Sequence, residues 1–270
     1  MRWWMPFAVI GAVIVVAVGV VAVLFAMREE PEARSVDDAL EDFRSEDEDS
    51  GATADAAATP APGVYELAGE GREAISFPPV EQADGATMPM TVSAADESDC
   101  YSVRIDYNEA HWQDWNLCRD GDRIMEHGGH TYQQWDLGAA QVENLSTFVC
   151  DPPILFLDFD KDAGHAEQRS CAGTNDAVEG TTITSGIDTH VGRVTLTVGD
   201  EELEAIHITQ DHEISGAQSG TNRNEYWFRA SDGLPLRGIR SSNIDSDSPV
   251  GTVTYTEDGT WDLVSTTPQT

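Results

Sequence analysis

The sequence predicts a mainly β protein, a large curved antiparallel sheet preceded by one transmembrane helix. The sheet is expected as a half-open barrel or a sandwich, with full closure as a further alternative. Three observations support this prediction. Apolar residues recur at every second position after Val64, Gly- and Asp-containing turns separate these segments, and twenty uncharged residues occupy Phe7–Ala26.

The first element is the apolar segment Phe7–Ala26. A helix of this length rises about 30 Å, enough to cross the hydrocarbon core of a bilayer. A cleaved signal peptide is the alternative, but its apolar region usually has only about 7–15 residues. Trp3 and Trp4 precede the segment, where indoles anchor a helix at the membrane interface. We therefore predict a cytoplasmic tail at 1–6 and a transmembrane helix at 7–27.

The cysteines indicate on which side of the membrane the large domain lies. The chain has four, none of them in a CxxC pair: Cys100, Cys118, Cys150 and Cys171. An even set of widely spaced cysteines indicates two disulfides and an oxidising compartment. The arginines flanking the apolar segment would mildly favour the opposite orientation, and we give the cysteines more weight. The expected location is the cell membrane, single-pass, with the C-terminal domain extracytoplasmic.

Between the membrane and the domain, an acidic linker is predicted at 28–62, with a short amphipathic helix at 36–44. Ser35 suits the N-cap, and Asp38 stands three positions later, as in a capping box. The apolar face of this helix consists of Val36, Leu40 and Phe43. This face either docks another protein or packs on its own domain. The remainder, 45–62, is expected to be a flexible spacer that holds the domain off the membrane.

The β-rich domain is predicted at 63–270, and its first clear hairpin links two cysteines. If 108–110 is the turn, Val103 faces Trp115 and Cys100 lies directly opposite Cys118. This register predicts a Cys100–Cys118 disulfide and leaves Cys150 to pair with Cys171.

In the C-terminal third, two dipeptides, Asp232-Gly233 and Asp258-Gly259, are typical of hairpin turns. They predict an antiparallel meander that ends in a short hairpin.

The charge of the chain excludes one class of partner. It carries 49 acidic and 15 basic residues, a formal net charge of −34. Nucleic acids and anionic lipid headgroups bind surfaces rich in Lys and Arg, so neither is an expected partner. The acidic surface either binds cations or serves solubility.

A weak metal-site candidate occurs at Asp158, Asp160 and Asp162, which have the spacing of the first EF-hand ligands. The match then fails, because Ala163 and Arg169 stand where the turn glycine and the bidentate glutamate belong. A solvated hairpin tip is the favoured interpretation, with no metal and no cofactor. The sequence has no nucleophile elbow, no zincin motif and no phosphate-binding glycine loop, so we expect no enzymatic activity.

Aromatic residues supply the candidates for a ligand pocket in the β-rich domain. They are Trp115, Tyr226, Trp227, Phe228 and Trp261. Such residues line apolar pockets, and ordinary core packing is the alternative.

The chain resembles a group of uncharacterised, membrane-anchored actinobacterial proteins. The resemblance is carried by S-V-D-D-A-L-E-D-F-R from Ser35, P-G-V-Y at Pro62–Tyr65, W-Q-D-W-N-L-C at Trp112–Cys118, F-V-C-D-P-P at Phe148–Pro153, E-Y-W-F-R-A-S-D-G-L-P-L-R at Glu225–Arg237 and P-V-G-T-V-T-Y-T-E at Pro249–Glu257. The hairpin at Glu225–Arg237 is also similar to those of the lipoprotein-carrier and mycobacterial lipid-carrier half-barrels. This second resemblance implies a sheet curved around an apolar cavity.

Together these observations predict a non-enzymatic, membrane-anchored domain that binds a lipid or another hydrophobic ligand. The alternative is a cell-envelope interaction or assembly module that acts through its surface and the helix at 36–44.

Overall fold

The computed structural model describes residues 28, 30–50, 59–95, 99–138, 140–248 and 251–270. The predicted tail at 1–6 and transmembrane helix at 7–27 lie outside these residues. Within the described part of the chain, no helix combines the length and the apolar character needed to cross a membrane.

The described residues form one helix followed by thirteen strands. The helix is α1 (Val36–Ser50). The strands are β1 (Gly63–Ser76), β2 (Pro79–Ala83), β3 (Thr87–Ala94), β4 (Cys100–Asn108), β5 (His111–Asp120), β6 (Arg123–Asp136), β7 (Gln141–Asp158), β8 (His165–Asn175), β9 (Val178–Val198), β10 (Glu201–Gly216), β11 (Gln218–Arg229), β12 (Pro235–Ser248) and β13 (Gly251–Leu263).

The strands form a single antiparallel sheet that closes on itself. Its order runs from β13 down to β3, then β1 and β2, and β1 also pairs with β13 from Leu67↔Leu263 to Ile75↔Tyr255. Because β2 pairs only with the C-terminal half of β1, twelve strands make the closed ring. The curved antiparallel sheet is confirmed, but the half-open barrel and the sandwich are not observed. Pairing β1 with β13 satisfies backbone groups that either open form would leave as two free edges.

Along its axis the barrel has two parts, which we call the closed half and the open half. The closed half is packed with apolar side chains, of which Trp261, Tyr65, Leu67, Met88 and Met90 are among the largest fully buried. The strands β4, β6, β10 and β12 begin there, and β5, β9, β11 and β13 end there. The open half lies toward the other strand ends and encloses a cavity.

The hairpin of β4 and β5 confirms the predicted register at its cysteine end. Cys100 faces Cys118 and Val103 faces Trp115. A shift between Asp106 and Asn108 makes the turn one residue shorter than predicted, so that Asn108 pairs with His111. Both predicted disulfides are present, Cys100–Cys118 and Cys150–Cys171.

The second disulfide lies where the pairing of β7 with β8 ends. These strands pair only from Ser146↔Asn175 to Val149↔Ala172, and Cys150 and Cys171 follow directly. Beyond this point β7 pairs with β6 alone and β8 with β9 alone. The disulfide therefore holds the wall together at the edge of a gap in the ladder.

Helix α1 packs on the barrel. The Asp38 N–H donates to Ser35 Oγ at 3.0 Å, which confirms the N-cap, and Ser35 Oγ donates to Asp38 Oδ2 at 2.6 Å. Leu40 and Phe43 are buried with Val64 at the start of β1. The helix extends past the predicted end at 44 to Ser50, because no Gly or Pro interrupts 36–50.

The chain before α1 also lies against the barrel. Arg28 Nη2 donates to the Glu81 carbonyl at 3.3 Å, and the Glu109 N–H donates to the Glu32 carbonyl at 3.0 Å. Arg34 Nη1 pairs with Asp106 Oδ1 at 2.9 Å. Residues before the predicted spacer therefore already contact the barrel. Residues 51–58 of that spacer lie outside the described part.

One predicted turn is wrong. Asp258 and Gly259 pair with Ser241 and Arg240 inside β13, which continues straight through them. The glycine serves close packing instead, since a Cβ at Gly259 would lie 2.8 Å from an Arg240 nitrogen. The Asp232-Gly233 turn between β11 and β12 is present, with Gly233 at a φ of 82°.

Candidate functional site

The open half contains a cavity of about 440 Å³. Side chains alternate between the two faces of each strand, so residues at every second position of β5–β13 point into this lumen. Its volume lies within the range of small-molecule sites.

One side of the rim of the lumen is apolar, whereas Gln218, Asp247 and Ser248 line another side. The apolar side includes Ile75 and Phe77 near the β1–β2 turn, Leu137 and Val142 at the β6–β7 turn, and Val253 at the start of β13. Phe77 is 57% exposed and Val142 is 40% exposed. A ligand therefore passes apolar side chains as it enters.

The wall below the rim is rich in amides and hydroxyls. The amide side chains are Gln113, Gln133, Asn144, Asn175, Gln210, Gln218, Asn222 and Asn224. Some already pair with one another or with hydroxyls, as in the 2.9 Å bond from Gln218 Nε2 to Ser246 Oγ. Two aromatic pairs interrupt this polar wall, Trp135 edge-on to Tyr255 and Trp115 edge-on to Tyr226, each with centroids 6.4 Å apart.

Three clusters of buried ionisable groups form the floor. In the first, the Arg240 cluster, Arg240 Nη2 pairs with Asp84 Oδ2 at 2.7 Å and Nη1 pairs with Glu257. The guanidinium lies 3.4 Å from the ring centroid of Tyr107. Burial raises the pKa of Asp84, and the charge of Arg240 only partly opposes this.

The Arg240 cluster depends on two glycines. Gly71 of β1 faces Gly259 of β13 across the ladder. A Cβ on Gly71 would lie 2.2 Å from Asp84 Oδ2, too close for any side chain. The missing side chains leave the space in which Asp84 reaches Arg240.

The Arg169 cluster joins β6, β8, β9 and β10. Arg169 Nη2 pairs with Glu126 Oε2 at 2.9 Å and Nη1 with Asp188 Oδ2 at 3.0 Å. His212 Nε2 lies 2.7 Å from Asp188 Oδ1, and Gln210 Nε2 donates to Asp188 Oδ2 at 3.2 Å. Burial raises the pKa of Glu126 although Arg169 opposes it.

The Glu73 cluster is centred on a fully buried carboxylate of β1. Glu73 accepts hydrogen bonds from Gln82 Nε2, from Gln133 Nε2 at 3.0 Å and from Tyr255 Oη at 2.9 Å. His111 Nδ1 lies 3.3 Å from Glu73 Oε1, misaligned for a hydrogen bond. Burial alone would raise the pKa of Glu73. The charge of His111 and these hydrogen bonds lower the pKa by more than burial raises it, so the net pKa lies below its ordinary value.

The floor offers both donors and acceptors to the lumen. Within the described residues, Arg169 Nε, Arg240 Nε and His111 Nδ1 are buried without a hydrogen-bond partner, and all three side chains line the cavity. Glu126 and Glu257 line it as well. The side chains that line this floor are charged, so the floor favours polar groups over apolar ones.

The five predicted pocket residues separate into three locations. Trp115 and Tyr226 line the lumen. Phe228 and Trp261 are packed in the closed half. Trp227 lies on the other face of its strand, where it stacks on His207 with centroids 4.2 Å apart.

The predicted metal candidates lie at the turn after β7, near the closed end. The Asp160 N–H donates to Asp158 Oδ1 at 2.9 Å, and Lys161 Nζ lies 3.9 Å from Asp158 Oδ2. Asp162 accepts a backbone bond through its carbonyl. Among the described residues, the only close group of metal-type donors is Glu126 with Cys150 and Cys171, and the disulfide leaves that group without a thiolate.

The clusters of the floor were not predicted from the sequence. Their members come from β1, the β2–β3 connection, β5, β6, β8, β9, β10, β12 and β13. A signal was nevertheless present in β10, where Gln210 and His212 occupy the inward positions between Ile208 and Ile214. Polar residues at inward positions of a strand indicate a polar interior.

No family model, no curated protein and no solved structure matches this chain. The resemblances drawn from its motifs therefore remain expectations, and the function has to be argued from the lumen.

Proposed function

We propose that this protein is a membrane-anchored, extracytoplasmic binding protein without enzymatic activity, and that its lumen holds a small amphipathic molecule. The observation that carries the proposal is the cavity of about 440 Å³, with apolar side chains on one side of its rim and a polar floor. Such a site suits a ligand with a polar group at one end and an apolar body at the other.

The sequence predicts a hydrophobic ligand, and the polarity of the lumen restricts this class to ligands that also carry a polar group. A purely apolar ligand would desolvate the charged and amide side chains of the floor without offering them hydrogen bonds. A polar group at the floor avoids this cost, and an apolar group then lies beside Ile75, Phe77 and Val142. An amphipathic lipid meets both requirements.

The extracytoplasmic location is supported by the two disulfides, which persist in oxidising compartments. The anchor is supported by the length and apolar character of Phe7–Ala26. The alternative of an interaction module that acts through the helix is less favoured, because the barrel covers Leu40 and Phe43.

The proposal is tested by blocking the lumen. Ser242 lines the cavity, whereas its neighbour Ser241 is exposed on the outer face of β12. We expect the full chain, purified from membranes and analysed by native mass spectrometry, to retain a bound small molecule. Ser242→Trp should abolish this bound mass because the indole fills the lumen, and the matched Ser241→Trp should keep it.

Near-ultraviolet circular dichroism checks that both variants fold. An empty wild-type protein, or equal occupancy of the two folded variants, would contradict binding in the lumen.

A further inference from the structure

The two ends of the barrel differ in the charge of their turns. The connections at the closed end carry Asp99, Asp122, Asp160, Asp162, Asp200 and Asp232. Among the described residues, the connections at the open end are Phe77-Pro78, Glu109-Ala110, Leu137-Gly138, Asp176-Ala177 and Ala217. The described connections at the open end thus carry fewer carboxylates than those at the closed end, although Asp136, Glu143, Glu179 and Asp247 lie at the adjoining strand ends.

The N-terminal chain approaches the barrel from the same end. Arg28 contacts Glu81 of β2, three residues after the Phe77-Pro78 turn, and Glu32 contacts Glu109 in the β4–β5 turn. Helix α1 then leads away toward Val64, at the closed end. The chain therefore enters beside the mouth of the lumen.

The apolar segment that ends at Ala26 must lie close to the open end of the barrel. Only Met27 separates Arg28 from the apolar segment that ends at Ala26, and one residue extends the chain by at most about 3.6 Å. The 16 residues of β10 span roughly 40 Å of barrel height when a strand tilt of about 40° is included. The closed end is thus far beyond the reach of Met27.

We propose that the barrel docks mouth-first on the extracytoplasmic leaflet of the membrane, and that a lipid of this leaflet enters the lumen head group first. The apolar side chains of Phe77 and Val142 lie at the bilayer interface, where apolar residues are favoured. The acidic turns of the closed end then point away from the membrane into solvent, where their carboxylates stay hydrated. The apolar parts of the lipid remain at the rim and in the bilayer, while its head group meets the polar floor. This inference rests on the anchor and the lumen of the proposed function.

The experiment places a photo-crosslinker at each end of the full-length chain. Benzoylphenylalanine replaces Phe77 at the mouth in one variant, and Val264, next to the closed-end terminus of β13, in the other. Val264 is the matched control because it is also apolar and is 39% exposed. Each protein is reconstituted into phosphatidylcholine vesicles and irradiated, and lipid adducts are detected by mass spectrometry.

We expect lipid adducts at position 77 and none at position 264. Adducts at both positions would overturn mouth-first docking, since they would show a barrel that tumbles at the surface. Adducts at neither position, with the chain still resistant to carbonate extraction, would overturn it as well. The native mass spectrum of the Ser242→Trp variant tests the lumen independently, and loss of the chain on carbonate extraction identifies a failure of the anchor.

Discussion

The closed and open halves of the barrel use the same strands for opposite purposes. In the closed half of β10, Ile206 and Ile208 point inward and join a packed core. Two and four residues after Ile208, Gln210 and His212 point inward and join the charged floor. A single strand therefore passes from the core to the floor of the lumen without any break.

This difference shows how a barrel keeps a cavity from collapsing. The closed half supplies the buried apolar area that stabilises the fold. The floor then fixes the positions of β1, β5, β6, β8, β9, β10, β12 and β13 through ion pairs and hydrogen bonds. The lumen above the floor therefore stays open without packing of its own.

The largest effect is expected from removing a core side chain of the closed half. Trp261 is 1% exposed, and Trp261→Ala should lower the free energy of unfolding by about 3–5 kcal/mol because it leaves a large void. The control is Gln218→Ala in the open half, whose amide is bound only through side chains at the lumen wall. Urea denaturation should show a change of less than about 1 kcal/mol for this control. Equal losses would mean that the two halves share one role in stability.

A comparable loss is expected at the floor. Arg169→Met leaves Glu126 and Asp188 buried without their cation, which should cost about 3–5 kcal/mol. Adding Glu126→Gln removes one of the stranded charges and should recover part of that loss. The comparison is made by urea denaturation of both variants under the same salt conditions. The Glu126→Gln single variant completes the comparison. If the losses of the two single variants simply added up in the double variant, Arg169 and Glu126 would be energetically independent.

A smaller effect is expected on the free energy of unfolding at acidic pH. The pKa of Glu73 is lower in the folded protein than in the unfolded chain, so its ionised form stabilises the fold above the unfolded pKa. That contribution is lost as the pH falls from about 5 through the folded pKa. Glu73→Gln should therefore flatten the rise of unfolding free energy with pH in this range.

Asp84 provides the contrast, since burial raises its pKa and its stabilising effect is lost as the pH rises. Asp84→Asn should accordingly steepen the same rise, whatever it does to the absolute stability. Parallel pH profiles for the two variants would show that their carboxylates titrate alike.

The parts of the fold that depend on local pattern were predictable. The alternation in β4 and β5 placed Cys100 opposite Cys118 and identified both disulfides. Closure was harder, because β1 and β13 are far apart in the chain and nothing local requires them to pair. Asp258-Gly259 misled for the same reason. Gly259 is required by its close packing against Gly71 and Arg240, which are distant in sequence, and not by a turn.

The candidate site was less predictable than the fold. Trp115 and Tyr226 were found because aromatic residues are conspicuous in strands, but Phe228 and Trp261 have the same pattern and serve the core. Whether an inward side chain meets a core or a lumen depends on its height in the barrel, which follows from the register of all the strands. The floor could not be predicted from the sequence for the same reason, since contacting members such as Glu73 and Tyr255 are 182 positions apart.

The short strand β2 has a consequence for how the protein is best produced. It lies at the end of the strand order, and its second edge has no ladder partner among the described strands. Pro79 and its length of five residues make it a poor template for another chain, and Arg28 binds the Glu81 carbonyl on it. A domain cut just before α1 would lose this cover and expose the edge. We expect such a truncated domain to self-associate, and proteins that retain residue 28 to stay monodisperse.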